Sequence, residues 1–125
     1  MSTRQSVIGI GGVFFKSRDP TAIASWYREH LGVPVEANAT HAAFTDQQAQ
    51  TIWAAFPVDT QYFAPSTAPF MLNYRVRDVD AMLDQLRVAG VPVDDRIEQS
   101  EFGRFGWATD PEGNRVELWQ PPGKQ

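Results

Sequence analysis

The sequence predicts an α+β fold. Two βαβββ modules form one curved, eight-stranded mixed sheet, with helices on its convex side and a cleft on its concave side. Three observations carry this. An opening strand, a capping aspartate and an amphipathic helix occur twice at an offset of 59 residues, which superposes Asp19 on Asp78 and Lys16 on Arg75. Both halves close on a strand that runs into proline, TIWAAFP and VELWQP. The end of the chain, GRFGWATDPEGNRVELWQPP, reads as a hairpin. Repetition on this scale constrains the fold more than any local propensity does.

The elements follow in order. Residues 7–16 (VIGIGGVFFK) are apolar and β-branched, so they form the first strand. Their glycines suit a sheet bend or a close backbone approach, because no helix opens there. Asp19 caps a helix that starts at Pro20. Ile23, Trp26, Tyr27, His30 and Leu31 supply its buried stripe, and Gly32 and Pro34 end it. Residues 33–40, 41–45 and 51–56 read as three more strands, with a polar turn over 46–50. Residues 58–69 (VDTQYFAPSTAP) are a loop and the one plausible internal boundary. The first module therefore spans 7–57 and the second 70–122, within one domain of 125 residues. In the second module, residues 70–76 form a strand and Asp78 caps a helix with Val79, Met82, Leu83 and Leu86 inside. Gly90 and Pro92 stop that helix, and residues 91–100 are polar and extended.

The terminal hairpin fixes a register. Pairing about Glu112 sets Thr109 opposite Arg115, Trp107 opposite Glu117 and Phe105 opposite Trp119. Side chains alternate across a strand. Gly106, Ala108, Val116 and Leu118 therefore make a small, aliphatic face suited to a helix. The opposite face carries aromatics around one carboxylate, Glu117, and has the character of a cleft wall.

Composition narrows the function classes. A net charge of −4 and no Lys/Arg stripe argue against nucleic acid as a partner. Zero cysteines exclude disulfides, thiolate nucleophiles and Cys metal sites. No stretch approaches a transmembrane length, and the first residues lack the apolar core of a signal peptide. The expectation is a cytoplasmic protein with a small-molecule partner and no membrane partner.

The paired βαβββ units, the strand-Asp-helix openings and the closing D-P-E-G-N-x-x-E-L together resemble the vicinal oxygen chelate superfamily. This group includes glyoxalase I, extradiol dioxygenases, fosfomycin-resistance enzymes and bleomycin-binding proteins. The resemblance covers residues 7–122. It implies a homodimer and, in metal-dependent members, an ion held by His, Gln or Glu on the first and last strands of each module. Carried onto this sequence, the first-strand positions are Gly12 and Met71. On the closing strands they are Glu117 and, by aligning the final prolines, Trp53. Gly and Trp offer no donor to a hard cation, and a thioether suits soft ions. The expectation is therefore no metal and no other cofactor.

Glu117 carries two readings of equal weight. It is a desolvated base or acceptor between Trp53 and Trp107, or a relic neutralised by Arg115 or Arg75. Asn73 needs a partner if buried, and Arg75 could grip an anionic group. Phe14, Trp53, Tyr62, Phe63, Met71 and Trp107 are expected to line the cleft, whereas Trp119 suits a core or an interface. His30 suits a core or capping role near the helix end, and His41 a strand-edge surface. Three functions follow. The first is binding of an aromatic or anionic small molecule, with metal-independent lyase or isomerase chemistry on Glu117 left open. The second is sequestration of a drug or metabolite without catalysis. The third is a metal-dependent lyase or dioxygenase with unusual ligands, such as His41 or groups from a partner chain.

Overall fold

The computed structural model describes residues 4–45 and 49–123. Among these, nine elements follow in order: β1 (Gly9–Ser17), α1 (Pro20–Leu31), β2 (His41–Thr45), β3 (Gln50–Pro57), β4 (Phe70–Arg75), α2 (Val79–Val88), β5 (Glu98–Ser100), β6 (Gly103–Thr109) and β7 (Arg115–Gln120). The strands form one mixed sheet in the order β2-β3-β1-β4-β7-β6-β5. In each half the first strand pairs in parallel with the last, β1 with β3 and β4 with β7. The halves join along an antiparallel β1–β4 seam.

Both helices start as the sequence predicts. Asp19 accepts from the Ala22 amide at 3.1 Å and Asp78 from the Ala81 amide at 3.0 Å. Each cap satisfies an orphan donor of the first turn, a contribution of about 1 kcal/mol. Gly32 ends α1 at φ 70°, a conformation that a Cβ disfavours. The terminal hairpin has the expected register, with Phe105–Trp119, Trp107–Glu117 and Thr109–Arg115 opposed.

Among the described residues seven strands form, not eight. Residues 33–40 make an irregular, largely exposed turn instead of a strand, with only Val33 and Val35 buried. Pro34 has no N–H to give a ladder, and Asn38 is left-handed at φ 65°. The backbone closes locally, through Val35 N–H to Val33 O and Ala39 N–H to Glu36 O. Val33 and Val35 are buried with Ala24 and Ala42 instead of entering the sheet. The polar turn expected after β2 falls largely on residues 46–48, outside the described residues. The extended 91–100 segment contributes a single bridge, Val93 to Ala108, and the short β5.

The helices share one face of the sheet and differ in how well they pack. α2 buries Val79, Met82 and Leu83 against Val76 and Leu118. Its Leu83 methyl lies 2.7 Å from where a Cβ on Gly106 would sit, so the small residue there is a packing requirement. The stripe expected on α1 is rotated. Trp26, His30 and Leu31 are exposed, and Ala24 is the fully buried residue. The reason is that α1 settles on β1 and β3 through Tyr27, whose ring meets Phe15 and Trp53 at 6.2 and 5.2 Å. His30 lies beside Trp26 and 3.7 Å from Glu29, on the surface instead of capping a buried end.

The opposite, concave face holds a separate core of Phe14, Ala54, Phe63, Met71 and Trp107. This cluster positions the site.

Candidate functional site

Glu117 lies at the middle of the concave face, 1% exposed. The β4–β7 register sets it beside Asn73, and the β6–β7 register sets it opposite Trp107. Both neighbours turn this adjacency into hydrogen bonds. Asn73 Nδ2 donates to Oε1 at 2.6 Å, and Trp107 Nε1 donates to Oε2 at 2.9 Å. A third donor is the Tyr62 hydroxyl, also on Oε2. No ion pair reaches Glu117 among the described residues. Burial drives its pKa up, and the three hydrogen bonds oppose that shift only in part. Burial likewise raises Tyr62 far above the ordinary phenol range, with the Glu117 charge adding to the effect. The result is a carboxyl group oriented by neutral donors in an apolar surround, a strong hydrogen-bond acceptor with an incentive to hold a proton.

Tyr62 and Phe63 come from the loop between the two halves and fold onto the sheet. Phe63 is fully buried and meets Phe56 at 5.2 Å. Tyr62 stacks on Phe56 at 5.5 Å and 11°, and stands edge-on to Trp107 at 6.1 Å and 90°. Phe14 packs on Phe56 at 5.4 Å. The concave face is thus aromatic and is filled by the protein's own side chains.

The cations nearby are engaged elsewhere. Arg75 donates to the carbonyls of Ile10 and Gln50 at 2.6 and 2.9 Å. Arg115 pairs with Asp94 at 2.9 Å and lies over the Trp107 ring at 5.0 Å. Arg96 lies over the same ring at 5.1 Å and pairs with Glu98. Lys16 lies 5.6 Å over Phe63. Neither Arg75 nor Arg115 neutralises Glu117, so the relic reading in that form does not hold.

Trp53 is the largest departure among the expected site residues. It lies on the helix face, packed on Phe15 at 5.2 Å and on Tyr27. Alignment by the closing prolines shifted the first half by one residue, and a shift of one changes the face of a strand. The register gives the true counterpart. β1 pairs Phe14 with Ala54, and β4 pairs Asn73 with Glu117. At the 59-residue offset Phe14 corresponds to Asn73, so Ala54 stands where Glu117 stands in the second half. The remaining expected residues, Phe14, Tyr62, Met71, Asn73 and Trp107, do gather around Glu117, whereas Arg75 lies at the strand end. Sequence reasoning missed Phe56, which a register-based alignment would have placed on this face. It also missed Arg96 over Trp107, for which no sequence signal exists.

The donor set does not fit a hard divalent cation. Gly12, Ala54 and Met71 leave Glu117 alone at the family's ligand positions, and its oxygens already accept three hydrogen bonds. Among the described residues, no group of three or more His, Asp or Glu side chains is arranged to hold an ion. His41 is exposed on the edge strand β2. Two buried polar atoms have no hydrogen-bond partner among the described residues, Asn73 Oδ1 and Arg115 Nε. Asn73 Oδ1 rests on Gly11, where the β1–β4 register shifts and a Cβ would lie 2.1 Å away. An open depression of about 240 Å³ over Gln99, Gly103, Arg104 and Gln120 shares no lining residue with the Glu117 group. No described helix is long and apolar enough to cross a membrane.

Comparison with known proteins agrees with this architecture. Solved structures of similar fold include methylmalonyl-CoA epimerase from Mycobacterium tuberculosis, at 24% identity, 98% of this chain, 94% of that chain and a TM-score of 0.69. A Streptomyces coelicolor methylmalonyl-CoA epimerase variant in complex with 2-nitronate-propionyl-CoA matches at 20% identity, 94% and 100% coverage and a TM-score of 0.74. A glyoxalase/bleomycin resistance protein/dioxygenase superfamily member from Vibrio splendidus 12B01 matches at 11% identity, 87% and 95% coverage and a TM-score of 0.59. At these identities the likeness is one of fold. Among curated proteins no sequence match is found. Residues 9–118 match a family as a whole, and on that match the chain belongs to the Glyoxalase/Bleomycin resistance protein/Dioxygenase superfamily.

Proposed function

We propose that this chain binds a small planar organic molecule on the aromatic concave face of its sheet, without a metal, and that Glu117 is the acceptor that orients it. One observation carries the reading: a buried carboxyl group held by Tyr62, Asn73 and Trp107, all neutral donors, inside an aromatic wall. Aromatic surroundings with one fixed polar group suit a flat ligand. The expectation of an aromatic or anionic ligand narrows here. The cations near the face are already engaged, and an unpaired carboxylate repels anions, so a neutral or cationic ligand with a hydrogen-bond donor is favoured.

Tryptophan fluorescence titration tests this with 2-naphthol, 4-aminoquinoline and benzoate. The first two bind the wild type and weaken about tenfold or more in Glu117→Gln, since a hydrogen bond to a charged group is worth roughly 1.5–3 kcal/mol. Preferential binding of benzoate, or unchanged affinity in the variant, would overturn the reading.

A second reading is supported by the raised pKa of Glu117. It makes Glu117 a general base for metal-independent isomerase or lyase chemistry, with proton abstraction next to a carbonyl as the step it suits. The epimerases of similar fold make acyl-thioesters reasonable first substrates. Deuterium exchange at the carbon beside the thioester carbonyl reads this out. The reading requires a loss of roughly 10²–10⁴-fold in Glu117→Gln, and it fails if exchange is absent in the wild type.

A further inference from the structure

Tyr62 differs from every other member of the concave cluster. Phe14, Phe63, Met71, Trp107 and Glu117 are buried, and all except Phe63 sit on strands of the sheet. Tyr62 is partly exposed and arrives from the connecting segment. That segment closes on itself: Thr60 N–H bonds to Pro57 O, Tyr62 N–H to Thr60 Oγ1, Ala64 N–H to Gln61 O and Ser66 N–H to Phe63 O. The Tyr62 side chain makes the contacts that a bound aromatic molecule would make. Its ring lies flat on Phe56 and edge-on to Trp107, and its hydroxyl donates to Glu117 Oε2.

We propose that Tyr62 occupies the ligand position of its own protein, and that the molecule which displaces it is a hydroxyaromatic compound, a phenol. Its ring takes the place of Tyr62 on Phe56, and its hydroxyl takes over the bond to Glu117. This rests on the binding reading above and names its ligand class.

The chemistry selects for the hydroxyl. When Tyr62 swings out, Oε2 keeps the Trp107 N–H and loses its other donor. A ring without a donor would leave that deficit in an apolar site, and sites built around a hydroxyl discriminate strongly against analogues that lack one. The tethered ring also competes with free ligand. Apparent affinity is lowered by the fraction of molecules in which Tyr62 is seated, so weakening the tether strengthens binding.

The test uses p-cresol, the free counterpart of the tyrosine side chain, with toluene as the ring without the hydroxyl. Both are titrated against the wild type, Tyr62→Ala and Tyr62→Phe by calorimetry, with thermal melting to confirm folding. The expected result is one p-cresol per chain in Tyr62→Ala, at least tenfold tighter than toluene and at least tenfold tighter than in the wild type. Adding Glu117→Gln to Tyr62→Ala removes the preference for p-cresol. If Tyr62→Ala does not fold, Tyr62→Phe decides, because it keeps the ring and drops the hydroxyl, and it should bind p-cresol at least threefold more tightly than the wild type. Equal affinity for p-cresol and toluene in Tyr62→Ala overturns the phenol assignment and leaves the binding reading standing. An unchanged p-cresol affinity in both variants overturns the displacement of Tyr62. Failure of the wild type and of Tyr62→Ala alike to bind any of the planar probes named earlier, or p-cresol, defeats the binding reading itself.

Discussion

The two halves of the sheet share a geometry and not a chemistry. β1 with β3 and β4 with β7 are both parallel pairs of first and last strands. At matched positions the first half presents Phe14 and Ala54, and the second presents Asn73 and Glu117. The helices repeat the contrast. α2 buries three aliphatic residues, whereas α1 buries Ala24 and leaves Trp26 and Leu31 in solvent. Repetition of backbone therefore does not bring repetition of site. The first half supplies aromatic wall, and the second supplies the polar group that the wall surrounds.

The contrast can be broken by making the first half resemble the second. Ala54→Glu installs a carboxyl at the counterpart of Glu117, among Phe14, Phe56, Phe63 and Met71 and opposite the exposed His41 of β2, with none of the three donors. A loss of about 3–5 kcal/mol is expected by urea denaturation at pH 7, the scale of a buried charge without a partner. Tolerance of that substitution would mean the first half retains latent polar partners. The helices give a smaller effect. Leu83→Ala in α2 should cost about 2–5 kcal/mol and Ile23→Ala in α1 only about 1 kcal/mol, since Ile23 is half-buried. Equal costs in parallel melts would show that α1 packs more tightly than its exposures imply.

The smallest effect is a change of slope. Burial raises the folded-state pKa of Glu117 above its ordinary 4.5. Between that value and the raised one, the folded protein holds a proton that the unfolded chain has released. The stability is present in full below the unfolded pKa and is lost as pH rises through the folded pKa. Unfolding midpoints taken upward from pH 4 should fall with pH in the wild type. In Glu117→Gln that component should vanish, and a slope common to both proteins would locate the titration elsewhere.

What was legible in the sequence was what local chemistry fixes. Asp19 and Asp78 announced both helix starts, and Asp110-Pro111-Glu112-Gly113-Asn114 set the terminal register to the residue. The 59-residue offset disclosed the doubled half-barrel. What escaped depended on contacts across the chain. Residues 33–40 read as a strand, yet Pro34 and the left-handed Asn38 keep them out of the ladder. Trp53 was assigned the wrong face because proline ends a strand without fixing its parity. At the site, the side chains around Glu117 followed from alternation along β4, β6 and β7. That Tyr62 would reach Glu117 did not, because a loop carries no periodicity from which direction can be read.

The antiparallel seam between β1 and β4 has a consequence for synthesis. β1 lies between β3 and β4, so a chain that pairs β1 with β3 first leaves the other edge of β1 open until Phe70–Arg75 docks. Until then a nascent chain presents GIGGVFF, apolar and glycine-rich, as an unpaired ribbon border, the kind of template on which neighbouring polypeptides add themselves. A substitution that loosens β4 and so lengthens that exposure should divert product into inclusion bodies.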